Sequence, residues 1–227
     1  MFTHSKPGRA EIFKEYFLLI VPGIAVLAIG LNIYSGWRRR KALAALALAA
    51  GLPPPVEGPS SEALEATGLE IFRLGRSRKA SNLIQTACSS GGLRFFDYRY
   101  TTGSGKNSST HNFTLALIDC ARCRVPDFDL KPETFIYKLG EAIGFKDIDL
   151  PAFPLFSDKY RLTGPDEASV RMFFTPERTA WFERNQGLRV QGSGGFLALF
   201  KREGLLPVDA WQGFIEEVKA FAAEVLR

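Results

Sequence analysis

The residues whose types and spacing invite a chemical reading lie between Cys88 and Asp149. Gly103-Ser104-Gly105-Lys106 has the look of a phosphate loop, but the full signature needs an earlier glycine and a Ser or Thr after the lysine. Tyr100 and Asn107 stand in those places, and strands flank the segment where a phosphate loop opens a helix. It therefore reads as a hairpin tip. Cys120-Ala121-Arg122-Cys123 is half of a zinc-site spacing, which Cys88 and His111 could complete as a Cys₃His set. With no second pair and no close histidine, the three cysteines read as buried or loop thiols, and neither a metal nor a cofactor is expected. A redox reading of the same pair lacks the strand-to-helix setting that such motifs use. The chain has two histidines, His4 and His111, so a hydroxyl or thiol hydrolase in the main domain would have to work through His111. No Gly-x-Ser-x-Gly elbow accompanies it. The carboxylates Asp127, Asp129, Glu133, Asp147 and Asp149 could line a cleft, although Asp in such loops usually serves as a turn or cap residue.

Stepping outward, the segment 95–117 must place these groups. It reads as strand, turn and strand, with Phe96, Tyr98 and Tyr100 on one face. Across the turn, His111, Phe113, Leu115 and Leu117 share a face as well. Pairing the two apolar rows sets Asp97 and Arg99 beside Thr110, Asn112 and Thr114 on the opposite, polar side. Asp97, Arg99, Lys106, His111 and Asn112 are accordingly the candidate binding residues. Two glycosylation sequons, at Asn107 and Asn112, read as chance in a domain expected to face the cytoplasm.

Alternation and β-forming residues predict strands near 69–74, 82–88, 92–102, 109–119, 158–163, 188–192 and 195–200. Helices are predicted over 133–143, 166–184 and 208–226. In the last of these Trp211, Phe214, Ile215, Val218, Phe221, Ala222 and Val225 recur at spacings of three and four. The pattern implies an α+β fold, an antiparallel sheet with helices packed on one face.

The domain must also be placed in the cell. Tyr16 to Trp37 is 22 residues without a charge, enough at 1.5 Å per residue to cross a hydrocarbon core of about 30 Å. Trp37-Arg38-Arg39-Arg40-Lys41 follows at once, which suits a retained anchor rather than a cleaved signal. That basic flank predicts a single-pass inner-membrane protein with its main domain in the cytoplasm. An odd number of cysteines, three, fits a reducing compartment. Seven of the 29 basic and two of the 24 acidic residues fall within residues 1–41, so the remainder is balanced at 22 of each. The net charge of +5 thus belongs to the anchor, and the domain lacks the basic footprint of a nucleic-acid partner. A local basic excess over 70–106 could instead face anionic headgroups. The expected organisation is a tail, anchor and juxtamembrane helix over 1–52, closing at Gly51. A Pro-rich linker follows over 53–66, and then a domain over 67–227.

The Arg-rich flank, the Ala/Leu helix ending at Gly51-Leu52, the run from Phe96 to Lys106 and Leu130-Lys131-Pro132-Glu133 together form a recognisable set. With them go Asp147-Ile148-Asp149, Phe156-Ser157, the run from Tyr160 to Glu167, Val170-Arg171 and Phe174-Thr175-Pro176. In these residues the chain resembles a family of bacterial membrane-anchored proteins that carry a domain of unknown function. The resemblance implies one anchor and a cytoplasmic domain, and it brings no activity, cofactor or catalytic residue. The functional expectation is a binding or scaffolding module that engages the bilayer through its anchor and a protein partner at the membrane. The alternative is a hydrolase or small-ligand enzyme using the polar face of the central hairpin.

Overall fold

The computed structural model describes residues 9–88, 91–120, 123–133 and 146–226. Beyond Glu133, the helix expected over 133–143 lies outside them. Two compact units emerge, Met1–Ala42 and Leu43–Arg227.

The first unit is the greater part of helix α1 (Arg9–Ala49), which runs through Pro22 without interruption. Ile20–Ala49 is long and apolar enough to cross a membrane. Its residues Ile24, Val26, Leu27, Ile29 and Ile33 are all more than half exposed. Apolar side chains on every side of a helix call for an apolar solvent. At its basic end Tyr34 stacks on Trp37, the Arg38 guanidinium lies 5.9 Å from the Tyr34 ring centre and the Lys41 ammonium 5.2 Å from that of Trp37. Amphipathic rings with adjacent cations are the residues that favour a headgroup region. The helix stops as expected at Gly51: its φ of +66° is a conformation glycine adopts freely, and Leu52 N–H donates back to the Ala47 carbonyl at 2.8 Å.

In the second unit the strands are β1 (Arg76–Cys88), β2 (Gly91–Thr102), β3 (Ser109–Asp119), β4 (Phe128–Pro132), β5 (Tyr160–Thr163), β6 (Arg189–Ser193) and β7 (Phe196–Phe200). They form one antiparallel sheet in the order β1-β2-β3-β7-β6-β4-β5. The helices are α2 (Ser61–Glu65), α3 (Pro154–Lys159), α4 (Glu167–Phe173), α5 (Pro176–Arg184) and α6 (Ala210–Val225). The fold class is α+β, as the sequence pattern implies.

Strand alternation divides the core between the two faces of the sheet. On one face Phe95, Ile118, Leu130, Val190 and Leu199 meet Trp181 of α5 and the buried stripe of α6, together with Leu43 and Ala47. The seven α6 residues singled out by their spacing are all buried there. On the other face Phe96, Tyr98, Tyr100, Phe113 and Leu115 lie beneath Leu64 of α2 and Leu69, Ile71 and Phe72. The hairpin register pairs Asp97 with Thr114, Arg99 with Asn112 and Tyr100 with His111, the alternation expected of it. Its supposedly polar side is nonetheless interior: Asp97 is 4% exposed and Thr114 1%. The 201–207 segment accounts for this, because Leu206 N–H donates to Thr114 Oγ1 at 3.0 Å.

Helix α2 lies within the segment expected as a linker, α3 occupies 154–159 where the pattern gives no helix and a strand from 158, and three more elements differ. Residues 69–74 form no strand but a 3-10 turn at Glu70–Phe72. The helix expected over 166–184 is two helices, because Thr175 and Pro176 start a new one and Thr175 Oγ1 caps it on Arg178 N–H. Strand β4, which ends in Lys131-Pro132, hides behind its proline and charge, yet it pairs with both β5 and β6.

Candidate functional site

The second face of the sheet changes character along its width. Between β1 and β3 it is aromatic, whereas alternation along β6 turns Arg189, Gln191 and Ser193 to that same face, and along β4 Asp129 and Lys131. Arg189 donates to Asp129 twice, Nε to Oδ1 at 2.9 Å and Nη2 to Oδ2 at 2.6 Å, and Lys131 Nζ lies 3.4 Å from Oδ2. The guanidinium also sits 5.2 Å from the Phe200 ring centre. A two-pronged pair with both members buried satisfies the geometry that makes a buried charge tolerable.

Above this floor stands the turn from Thr67 to Arg73. It is fastened by Ile71 N–H, which donates to Gln191 Oε1 at 3.0 Å. Gly68 crosses Ser193 so closely that a Cβ there would come within 2.5 Å of Ser193 Oγ, and its φ of +81° is one that side chains disfavour. Between the turn and β4 to β6 lies a cavity of about 270 Å³, walled by Glu70 and Arg73 on one side and by Asp127, Thr163 and Gly164 on the other. Gln191 and Ser193 line it and are 3% and 9% exposed. Gln191 accepts Ile71 N–H on its carbonyl oxygen, which leaves its Nε2, with the Ser193 hydroxyl, to line the cavity. Glu70 completes the site. Burial is the main force raising its carboxyl above the usual glutamate range, Asp129 adds to the rise, and Arg189 and Lys131 oppose it.

The five residues singled out in the hairpin fall in separate places. Asp97 accepts from Asn82 Nδ2 and from Thr114 Oγ1, each at 2.9 Å. Asn82 reaches it from a bulge in β1, where its φ is +56°. Arg99 and Lys106 are exposed, and Asn112 accepts Gly204 N–H at 2.7 Å through its backbone oxygen. His111 lies on the opposite face from Asp97, stacked 5.0 Å from Tyr100. Its Nε2 is 2.9 Å from Thr102 Oγ1 and its Nδ1 2.8 Å from Glu203 Oε1. The hydroxyl, imidazole and carboxylate are thus in line. The Gly204 bridge to Phe113 holds residue 203 in that position.

Cys120 and Cys123 form a disulfide at the far end of β3 from His111, nine residues and so about 30 Å away. His111 is therefore not brought to the cysteine pair. Among the described residues no group of three His, Cys, Asp or Glu side chains is placed to hold a metal. Of the loop carboxylates, Asp127 and Asp129 do line the cleft, while Asp147 accepts Leu162 N–H at 3.0 Å and so covers edge strand β5. Sequence reasoning missed Glu70, Arg189, Gln191 and Ser193. The available signal was Arg189-Val190-Gln191-Gly192-Ser193, a strand polar at every second position.

No protein-family profile matches the chain, and no curated protein does so at a significant level. Among solved structures it is similar to the crystal structure of the mycobacterial trehalose monomycolate transport factor A, TtfA. The TM-score is 0.51 at 12% identity, over 84% of this chain and 93% of that one. The likeness is one of fold.

Proposed function

We propose that the chain is a single-pass inner-membrane protein whose cytoplasmic α+β domain works as a binding or scaffolding module at the bilayer surface, with the β4–β6 cleft as its recognition site. The observation that carries this reading is a cavity floored by buried polar groups with free hydrogen-bonding capacity, in a chain with an apolar helix. Buried donors are otherwise paired, so free ones facing a cavity favour a ligand. Exposed Arg99, Lys106 and the edge of Asn112 offer a second surface, which a protein partner at the membrane would use. The fold shared with a transport factor is compatible with presenting a cargo rather than transforming it.

The test has two parts. A cysteine at Ser104, in a background without Cys88, Cys120 and Cys123, is treated in intact cells with a membrane-impermeant maleimide. Labelling only after permeabilisation is expected; labelling of intact cells overturns the cytoplasmic placement and suits the Cys120–Cys123 disulfide, which persists in oxidising compartments. Photo-cross-linking from Ser104 and Asn107 then captures the partner, and an unchanged cross-link pattern in Arg99→Ala/Lys106→Ala chains removes the hairpin tip from the interface.

A second reading rests on Thr102, His111 and Glu203. A hydroxyl on Nε2 with a carboxylate on Nδ1 is the order in which a hydrolase activates a nucleophile. An ester and peptide panel on the full chain decides it. Turnover abolished by both Thr102→Val and His111→Ala establishes the enzyme; turnover indifferent to them, or none, leaves the trio as a clasp between the hairpin and the 201–204 segment.

A further inference from the structure

The cleft's own chemistry narrows what it holds, taking as premise that it is the recognition site. We propose that the cavity between the Thr67–Arg73 turn and strands β4 to β6 binds one neutral, polyhydroxylated ring, a sugar-like headgroup, free or carried on a lipid.

Three features of the cavity converge on that class. The first is charge. Glu70, Asp127 and Asp129 line the cavity together with Arg73, and Asp129 is balanced from outside the lining by Arg189 and Lys131. An anion such as phosphate would meet Glu70 and Asp127 across the cavity, and a cation would meet Arg73. A neutral ligand meets neither repulsion.

The second is hydrogen bonding. Gln191 Nε2 can only donate, Glu70 as a carboxylate can only accept, and the Ser193 hydroxyl does either. Gln191 and Ser193 are more than nine-tenths buried and line the cavity, and Gln191 uses its carbonyl oxygen on Ile71, so its Nε2 and the Ser193 hydroxyl are the groups offered to a ligand. One ligand must therefore accept at the floor and donate at the wall within a few ångströms. Adjacent hydroxyl groups do both, whereas a carbonyl only accepts and an ammonium only donates. Hydroxyls donated to Glu70 would also relieve the charge that burial leaves poorly solvated.

The third is size. About 270 Å³ lies just under the range of roughly 300–1,000 Å³ that takes drug-sized ligands, which suits a single ring. Gly68 and Gly164 make this space: a Cβ on Gly68 would crowd Ser193, and one on Gly164 would come within 2.6 Å of the Asp127 carbonyl.

The experiment uses the full chain in phosphatidylcholine nanodiscs and reads ligand contact by saturation-transfer NMR. The probes are glucose, myo-inositol, methyl phosphate and ethylammonium, with a parallel set of nanodiscs containing a glucosyl diacylglycerol. Glucose or inositol is expected to bind, and Ser193→Ala to weaken that binding roughly three- to tenfold with the fold unchanged by circular dichroism. Glu70→Ala provides the second variant and should weaken it comparably.

Binding of free sugar identifies a soluble source. Binding seen only as protection of the cleft in glucosyl-lipid nanodiscs identifies a lipid-borne one. Sugar binding indifferent to both variants overturns the site. Methyl phosphate or ethylammonium bound in place of sugar, and weakened by Ser193→Ala, overturns the ligand class while keeping the cleft as a recognition site. Silence from every probe in both nanodisc types overturns both readings.

Discussion

Two polar clusters are built into the same sheet, and they end differently. Around Asp97 the bonding is closed: Asn82 and Thr114 each donate to the carboxylate, and Thr114 in turn accepts from Leu206 N–H. Around Asp129 the ion pair is also closed, but its neighbours are not, since Gln191 Nε2, Ser193 Oγ and Glu70 face a cavity with bonds to spare. Both clusters are buried, so burial alone does not mark a site. The closed network ties β1, β2, β3 and the 201–207 segment into one register, and a fully satisfied polar group of this kind specifies a structure. The open one keeps hydrogen-bonding capacity that only a ligand or water can use.

The largest effect should come from the ion pair that floors the cleft. Asp129→Leu leaves Arg189 buried without its carboxylate and should cost about 3–5 kcal/mol in urea unfolding, whereas Asp129→Leu/Arg189→Met should recover most of it. If the double variant is as unstable as the single, the pair is not the unit of stability that its geometry indicates. Next in size is Asp97→Ala. It strands the Asn82 amide and the Thr114 hydroxyl and should cost about 1–3 kcal/mol, while leaving binding in the cleft unaltered. An Asp97→Ala protein that is folded but no longer binds would erase the distinction between the clusters. Ser193→Ala sharpens the same contrast from the other side: with no protein partner to lose, its unfolding midpoint should move by less than the equivalent of about 0.5 kcal/mol.

These clusters were unequally legible in the sequence. The β2–β3 register could be read because one face of each strand is uniformly apolar, and a slip by one residue would invert it. The α6 stripe was legible for the same reason at helical period. Asp97 reads in the sequence as part of the hairpin's polar side, since nothing near it announces that the 201–207 segment covers it. The cleft was less visible still. Glu70 sits in an apolar run that imitates a strand, β4 ends in Lys131-Pro132, and Arg189 lies 60 residues from its partner Asp129. Pairings of that range leave no periodic trace, so local patterning recovers strands and faces but not which polar side chains meet across them.

The smallest predicted effect is the most diagnostic, because it concerns a carboxyl that burial leaves short of solvation. Glu70 has its carboxyl raised above 4.5, first by burial and then by Asp129, with Arg189 and Lys131 pulling the other way. A carboxyl whose folded pKa exceeds its unfolded one binds protons more tightly when folded. The stability it contributes is therefore fully present below the unfolded value near 4.5 and is lost as pH rises through the folded value. Glu70→Gln keeps the shape and removes the titration. Relative to it, the unmodified protein should be the less stable partner at neutral pH, and the gap should close as pH falls toward the ordinary glutamate range. Unfolding curves of the two proteins across that interval measure it. A gap that widens on acidification would mean that Glu70 is held by a cation, as Asp129 is, and the cleft would then belong with the closed cluster. A gap that vanishes at neutral pH only when a sugar is added would mean that ligand hydroxyls supply the solvation the fold withholds.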